Sequence, residues 1–145
     1  MPLELSIHDD PPPDAADVVD RGLDEANDAA GVLQDVRPLG AFVRDEGRVV
    51  GGAVGRTWCE CCELQQLWVD AAFRGRGLGE RLLRAFEQRA AERGCTLVHL
   101  TTFSFQAPGF YAGRGYRVEH ELRGYAHGVC KFTMTRQIGA HAPGT

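Results

Sequence analysis

The sequence contains no apolar run near the roughly 18 residues that a membrane-spanning helix requires, which removes the transmembrane class. Its start, Met1 to Asp10, lacks the basic n-region and apolar core of a secretory signal, so a cytoplasmic, reducing location is expected. Lysine is nearly missing: Lys131 is the only one. The chain is acidic overall, with a formal net charge of -4, so it lacks the basic excess of a nucleic-acid binder and no nucleic-acid partner is expected. Paired cysteine spacing is missing too. The five cysteines (Cys59, Cys61, Cys62, Cys95, Cys130) match neither a secreted disulfide scaffold nor a four-ligand zinc site, so free thiols and no metal are expected. The cluster Cys59-Glu60-Cys61-Cys62 is the one metal-like feature, and no Cys/His pair follows nearby to complete it.

What remains is a chain of 145 residues with 43% hydrophobic and 25% charged residues, the balance of a soluble globular domain. No repeat, long linker or low-complexity tract divides it, so residues 1–145 are expected to form one domain with one site, and 137–145 a loose tail. Charge is distributed unevenly. Residues 1–36 hold ten acids against Arg21 alone, and the remainder holds ten acids against fifteen bases. This asymmetry suits a site that meets a cation on one side and a polyanion on the other; a solvated acidic helix face would produce the same pattern.

Leu3, Leu5 and Ile7 alternate with polar residues, which predicts a first strand. Pro11 to Pro13 end it, and Asp14 is expected to cap an acidic amphipathic helix carrying Val19, Leu23, Ala26 and Ala30 on one face up to Gly31. Residues 41–44, the turn Asp45-Glu46-Gly47, and Val49 to Trp58 read as a hairpin, extended by a third strand over Glu63 to Val69. Leu78, Leu82, Phe86 and Ala90 form a helical stripe ended by Gly94. A strand over 97–101, a short helix over 107–113, and strands over 116–122 and 129–136 complete a mixed α/β sheet flanked by helices.

The segment Arg74-Gly75-Arg76-Gly77-Leu78-Gly79 joins a strand to the start of that long helix, so its amides and the helix's positive end face one point. Such a point favours an anion, glycines let phosphate approach the backbone, and a pyrophosphate fits best. Gly-Leu-Gly replaces the Gly-Lys-Ser/Thr of a P-loop, and Glu80 stands where a dinucleotide fingerprint needs glycine.

Leu67-Trp68-Val69, the loop Arg74 to Gly79, and Phe110-Tyr111-Ala112-Gly113-Arg114-Gly115-Tyr116 together closely resemble the GCN5-related N-acetyltransferase (GNAT) family. Arg74, Gly77 and Gly79 match that family's loop signature, and Phe110, Tyr111, Gly115 and Tyr116 match its later one. The resemblance implies an α/β (α+β) fold with a mostly antiparallel sheet of six to seven strands whose central strands splay to admit the pantetheine arm of acetyl-CoA. It implies that the amides of Arg74, Gly75, Arg76, Gly77, Leu78 and Gly79 hold the pyrophosphate and that Leu67, Trp68 and Val69 orient the arm. Phe110 belongs to the same binding set. Many members carry Asn where this chain has Ser104, with Gln106 two residues on; both are cofactor-binding candidates. A homodimer through the late strands is a further family expectation.

Acetyl transfer needs a neutral amine, a polarised carbonyl and a proton for the departing thiolate. A lysine-like amine of pKa about 10.4 is under roughly 0.1% neutral at pH 7, so a carboxylate base is expected. Glu63, eleven residues before Arg74, is the first candidate, read as sharing a strand face with Gln65, Leu67 and Val69; Glu60, on the opposite face, is the reserve, and a water chain fills the role in some relatives. Tyr111 matches the family's general acid, although a packed aromatic would explain it equally. The acidic first helix and Asp9-Asp10 lie where the family's substrate entrance falls, which favours a small cationic amine, an antibiotic among the options. Acetylation of a protein lysine or N-terminus is the alternative, followed by a non-catalytic acyl-CoA-binding module.

Overall fold

The computed structural model describes residues 2–31 and 35–139. By its internal packing the chain divides into two compact units, Met1–Gln34 and Asp35–Thr145. In the first, residues 2–12 carry no strand or helix and α1 spans Pro13–Ala30. The alternation of Leu3, Leu5 and Ile7 is real, yet the three side chains are exposed and unpaired as a strand: alternation selects a face only where a neighbouring strand supplies hydrogen bonds. The helix start also differs from expectation. Pro12 occupies the N-cap, Pro13 takes the first helical position, and Asp14 sits in the first turn instead of capping. Gly31 closes the helix in the left-handed conformation, accepting no Cβ penalty at φ 73°.

The second unit is a six-stranded sheet in the order β1-β2-β3-β4-β6-β5. Its strands are β1 (Val36–Asp45), β2 (Arg48–Trp58), β3 (Cys61–Val69), β4 (Leu97–Phe103), β5 (Arg117–Leu122) and β6 (Lys131–Gln137), with α2 (Leu78–Glu92) and α3 (Pro108–Ala112) between them. All neighbouring pairs run antiparallel except β3 and β4, which are parallel. Leu82, Leu83, Phe86 and Ala90 of α2 are buried with Leu39, Ala53, Cys62, Leu64, Val98, Leu100 and Met134 of the sheet, which makes the single core of this unit. The strand order leaves the seam between β3 and β4 as the place where two halves of the sheet meet.

Two local features shape that seam. Val54 pairs with Gln66 and Gly55 with Leu64, so Gln65 opposes no residue of β2 and forms a bulge. Gly55 is required there, because a Cβ would collide with the Glu63 carbonyl oxygen and press on Phe86. The bulge also reverses the side-chain phase along β3: Cys62 and Leu64 before it, and Leu67 and Val69 after it, pack into the core. Glu63 therefore shares the outer face with Gln66 and Trp68, not with Leu67 and Val69 as strict alternation implied. Gln137 ends β6, the Ile138 amide donates to the Thr96 carbonyl at 2.8 Å, and Ile138 is buried, while residues 140–145 of the expected tail lie outside the described residues.

Candidate active site

β3 and β4 pair only through Cys61–Leu97, Cys62–Val98 and Glu63–His99. Beyond Glu63 they part, so the facing backbone edges of residues 64–69 and 100–103 have no strand between them. Strand edges without partners are costly in a protein interior, and a ligand with amide groups of its own can satisfy them. The Arg74–Gly79 loop closes one end of the opening. Asp70 starts it by accepting from the Ala72 amide at 3.1 Å while Arg48 bonds its other oxygen at 3.2 Å; the amide first and then Arg48 hold its carboxyl below the usual range. Arg74 then turns back, its Nε donating to the Val69 carbonyl at 2.9 Å. Gly75 and Gly77 adopt φ 79° and 75°, and Gly77 is the N-cap of α2. Left-handed glycines without a side chain leave the first amides of α2 pointing into open space, which is an anion cradle.

Two cavities flank this seam. One, of about 480 Å³, is lined by Leu67, Trp68 and Val69 of β3, the loop residues Arg74, Gly75, Gly77, Leu78 and Gly79, and Phe110 and Tyr111 of α3. The expected coenzyme residues thus converge, with three exceptions. Arg76 stacks on Phe73 with its guanidinium 5.0 Å from the ring centroid, outside the lining; Ser104 bonds both ways with the Cys130 backbone and lines neither cavity; Gln106 lines the other cavity, its Oε1 accepting from the Phe103 amide at 2.8 Å. Arg114 was missed as a site residue. It lines the first cavity, lies 3.9 Å over the Phe110 ring, and bonds the Phe110 carbonyl at 3.0 Å, leaving its buried Nε without a partner. Its place in the second signature was the available signal.

The second cavity, of about 530 Å³, lies across the outer face of β1, β2 and β3 and the end of β4. Leu67, Trp68, Ala107 and Tyr111 line both cavities, so Tyr111 stands where they meet. Burial pushes its phenol above the usual tyrosine range. Its ring is held edge-on by Phe110 at 5.2 Å and by Tyr116 at 5.7 Å. Tyr116 is itself anchored: its hydroxyl donates to Glu87 Oε2 at 2.6 Å, and Glu87 Oε1 accepts from Arg84 at 2.8 Å and Arg136 at 3.0 Å. Burial first, and the Glu87 charge second, push the Tyr116 hydroxyl far up, so it remains a donor. A buried carboxylate paired with two guanidiniums and a phenol is satisfied, and it ties α2 both to β6 through Arg136 and to Tyr116, the residue before β5.

Glu63 lies on the outer face beside the second cavity without lining it, and Arg56 lies directly opposite at 3.4 Å. Glu60 is in the β2–β3 turn, where its carbonyl accepts from the Thr96 and Leu97 amides, at the closed end of the seam. Among the described residues no group of three or more His, Cys, Asp or Glu could hold a metal ion. No described helix is long and apolar enough to cross a membrane.

The model of the acetyltransferase (GNAT) family matches residues 5–116. The chain belongs to the GNAT family. It is 35% identical over 111 residues to the blasticidin-S acetyltransferase of Streptomyces morookaense, covering 73% of this chain and 82% of that protein. Among solved structures, an acetyltransferase from Bacillus cereus overlays with a TM-score of 0.75 at 27% identity, covering 92% of this chain and 98% of its own. A protein of Agrobacterium tumefaciens overlays with a TM-score of 0.86 at 26% identity, over 94% and 100%. The protein is accordingly a GNAT acyltransferase, with the family's mixed, mostly antiparallel sheet and splayed central strands. The family's donor is acetyl-CoA, and the first cavity suits it: a glycine-lined anion cradle at one end, unpaired strand edges along the middle, and a protonated phenol at the other end.

Proposed function

We propose that the protein transfers an acetyl group from acetyl-CoA to a primary amine of a small molecule by direct attack within a ternary complex. The observation that carries this reading is Tyr111, shared by two cavities that meet at the splayed seam. When bound, acetyl-CoA supplies an acyl thioester. The loop amides from Arg74 to Gly79, with Arg74 and Arg114 nearby, neutralise the diphosphate, and the free edge of β3 from Leu67 to Val69 aligns the pantetheine arm. Tyr111 gives its proton to the departing thiolate. Glu63 takes the amine's proton through water, since it stands next to the second cavity and not inside it.

The whole chain is taken as one functional domain because the family match runs through both compact units, from residue 5 to 116. The relative that acts on blasticidin S supports a small-molecule acceptor, an antibiotic included. Calorimetric titration with acetyl-CoA, followed by thiol release with a panel of primary amines containing blasticidin S, tests the reading. Binding with turnover of a small amine supports it; turnover of a lysine peptide alone favours a protein acetyltransferase, and binding without turnover of any amine favours a silent acyl-CoA module. The family expectation of a homodimer is part of the proposal, with the fully exposed edge strand β5 as the candidate contact, and light scattering at twice 15.9 kDa checks it.

A further inference from the structure

Phe42, Gly52 and Trp68 stand directly opposite one another across β1, β2 and β3. Directly opposed residues of antiparallel strands share a face, so the three form one row on the outer side of the sheet, within the second cavity. The middle position is bare, and the Phe42 ring lies down across it. A Cβ on Gly52 would come within 2.8 Å of the ring's Cδ1, and one on Gly40 within 2.9 Å of its Cε2. The ring is thus seated flat on two glycine backbones, a position that any larger residue would lift. Its upper face is open: Phe42 is 54% exposed and Trp68 52% exposed.

The remaining walls add no charge. Gln65, Gln66 and Gln106 contribute amides and Thr101 and Thr102 hydroxyls, and none of the described residues lining the cavity is ionic. A polycation would find no carboxylate in these walls to exchange for its hydration, the neighbouring Glu63 being already paired with Arg56 at 3.4 Å, whereas a flat ring would cover the Phe42 face and present its edge to neutral donors and acceptors. We infer that the acceptor is a primary amine carried on an uncharged planar aromatic or heteroaromatic ring, which stacks on Phe42 while the glutamines and threonines bond its edge. This rests on the proposal that the second cavity receives the acceptor. It makes Phe42 a specificity-determining residue and the glycines beneath it part of the binding floor.

The test compares kcat/KM, at saturating acetyl-CoA, for tryptamine and 5′-amino-5′-deoxycytidine against butylamine and spermidine. The expected result is at least a 10-fold preference for the ring-bearing amines, carried by KM. Phe42→Ala brings the ratio close to one, and Gly52→Val, which lifts the ring, moves it the same way. Equal or better turnover of spermidine or butylamine overturns the inference. So does a Phe42→Ala protein that loses thermal stability while keeping the ratio, since the ring would then be packing against protein. If acetyl-CoA binds but no amine turns over, the enzymatic proposal fails by itself. The ring site is then decided by calorimetry of the coenzyme-loaded chain with cytidine: binding lost in Phe42→Ala upholds it, and no binding overturns it.

Discussion

Burial keeps the Tyr111 phenol protonated past the pH at which an ordinary tyrosine ionises, near 10. A proton donor with a raised pKa survives to higher pH, so kcat is expected to show no loss attributable to this group between pH 7 and about 10. A pH profile of kcat in wild type and Tyr111→Phe checks it, because a basic limb caused by Tyr111 would vanish in the variant. A thiol near pKa 8.5 leaves fairly well without help, whereas the acceptor ammonium must lose a proton from a pKa near 10.4. Tyr111→Phe is therefore expected to lower kcat about 10-fold or less and Glu63→Gln about 100-fold or more. Equal losses would contradict that ranking. Buried acids also report on folding. Cys62, fully buried, is pushed by burial from 9.0 up to about 12, and the Tyr116 hydroxyl is shifted the same way by burial and Glu87. Above the unfolded values the denatured chain releases protons that the native one retains, so stability falls as pH rises from about 9 towards 12. Urea midpoints measured along that range should decline, and Cys62→Ala should flatten the decline while lowering the neutral-pH midpoint.

At the scale of elements, most of the second unit was legible in the sequence. The β1–β3 meander, the α2 stripe and β6 follow from alternation and from the 3.6 period, because each buries one face against the same core, whereas β5 is exposed along its whole length. The turn at the proposed coenzyme loop was legible through Gly75 and Gly77, whose positive φ glycine adopts without strain. What was not legible has a physical cause in each case. The bulge at Gln65 is a pairing event between β2 and β3, invisible to a period count on β3 alone, and it moved Glu63 to the other face. The Leu3–Ile7 pattern has the right alternation without a partner strand. Ser104 was placed by its position before Tyr111, whereas its hydroxyl accepts from the Cys130 amide at 3.0 Å and ties the end of β4 to the start of β6. The bulge yields a prediction of its own. Gly55→Ala forces a Cβ against the Glu63 carbonyl, which must move with the bulge it belongs to. A stability loss of at least about 1–3 kcal/mol in urea unfolding is expected, together with a raised KM for the amine, because Glu63 and Gln66 shift with the strand. An unchanged midpoint would show that β2 relaxes at no cost.

For the whole molecule, the splayed seam means that folding leaves one stretch of sheet unfinished: β3 beyond Glu63 and β4 beyond His99 lack each other as partners, and the core continues only on the α2 side. A ligand that fills the seam joins the two halves and cannot do so in the unfolded chain, so its binding free energy adds to stability. At 100 times its dissociation constant, acetyl-CoA should contribute about 2.7 kcal/mol, which for a domain of this size corresponds to a rise of roughly 6–10 °C in Tm. The rise should depend on the diphosphate cradle. Gly77→Ala places a Cβ at φ 75°, at a cost of about 1–2 kcal/mol in the free protein, and should also shrink the coenzyme-induced shift, because the αL turn that aims the first amides of α2 is strained. Differential scanning calorimetry with and without acetyl-CoA measures both. Hydrogen exchange then locates the effect: protection should rise at the amides of residues 66–69 and 78–80 and stay level at the paired end, Cys61 to Glu63. Protection appearing at the paired end alone would mean that the coenzyme does not enter the seam.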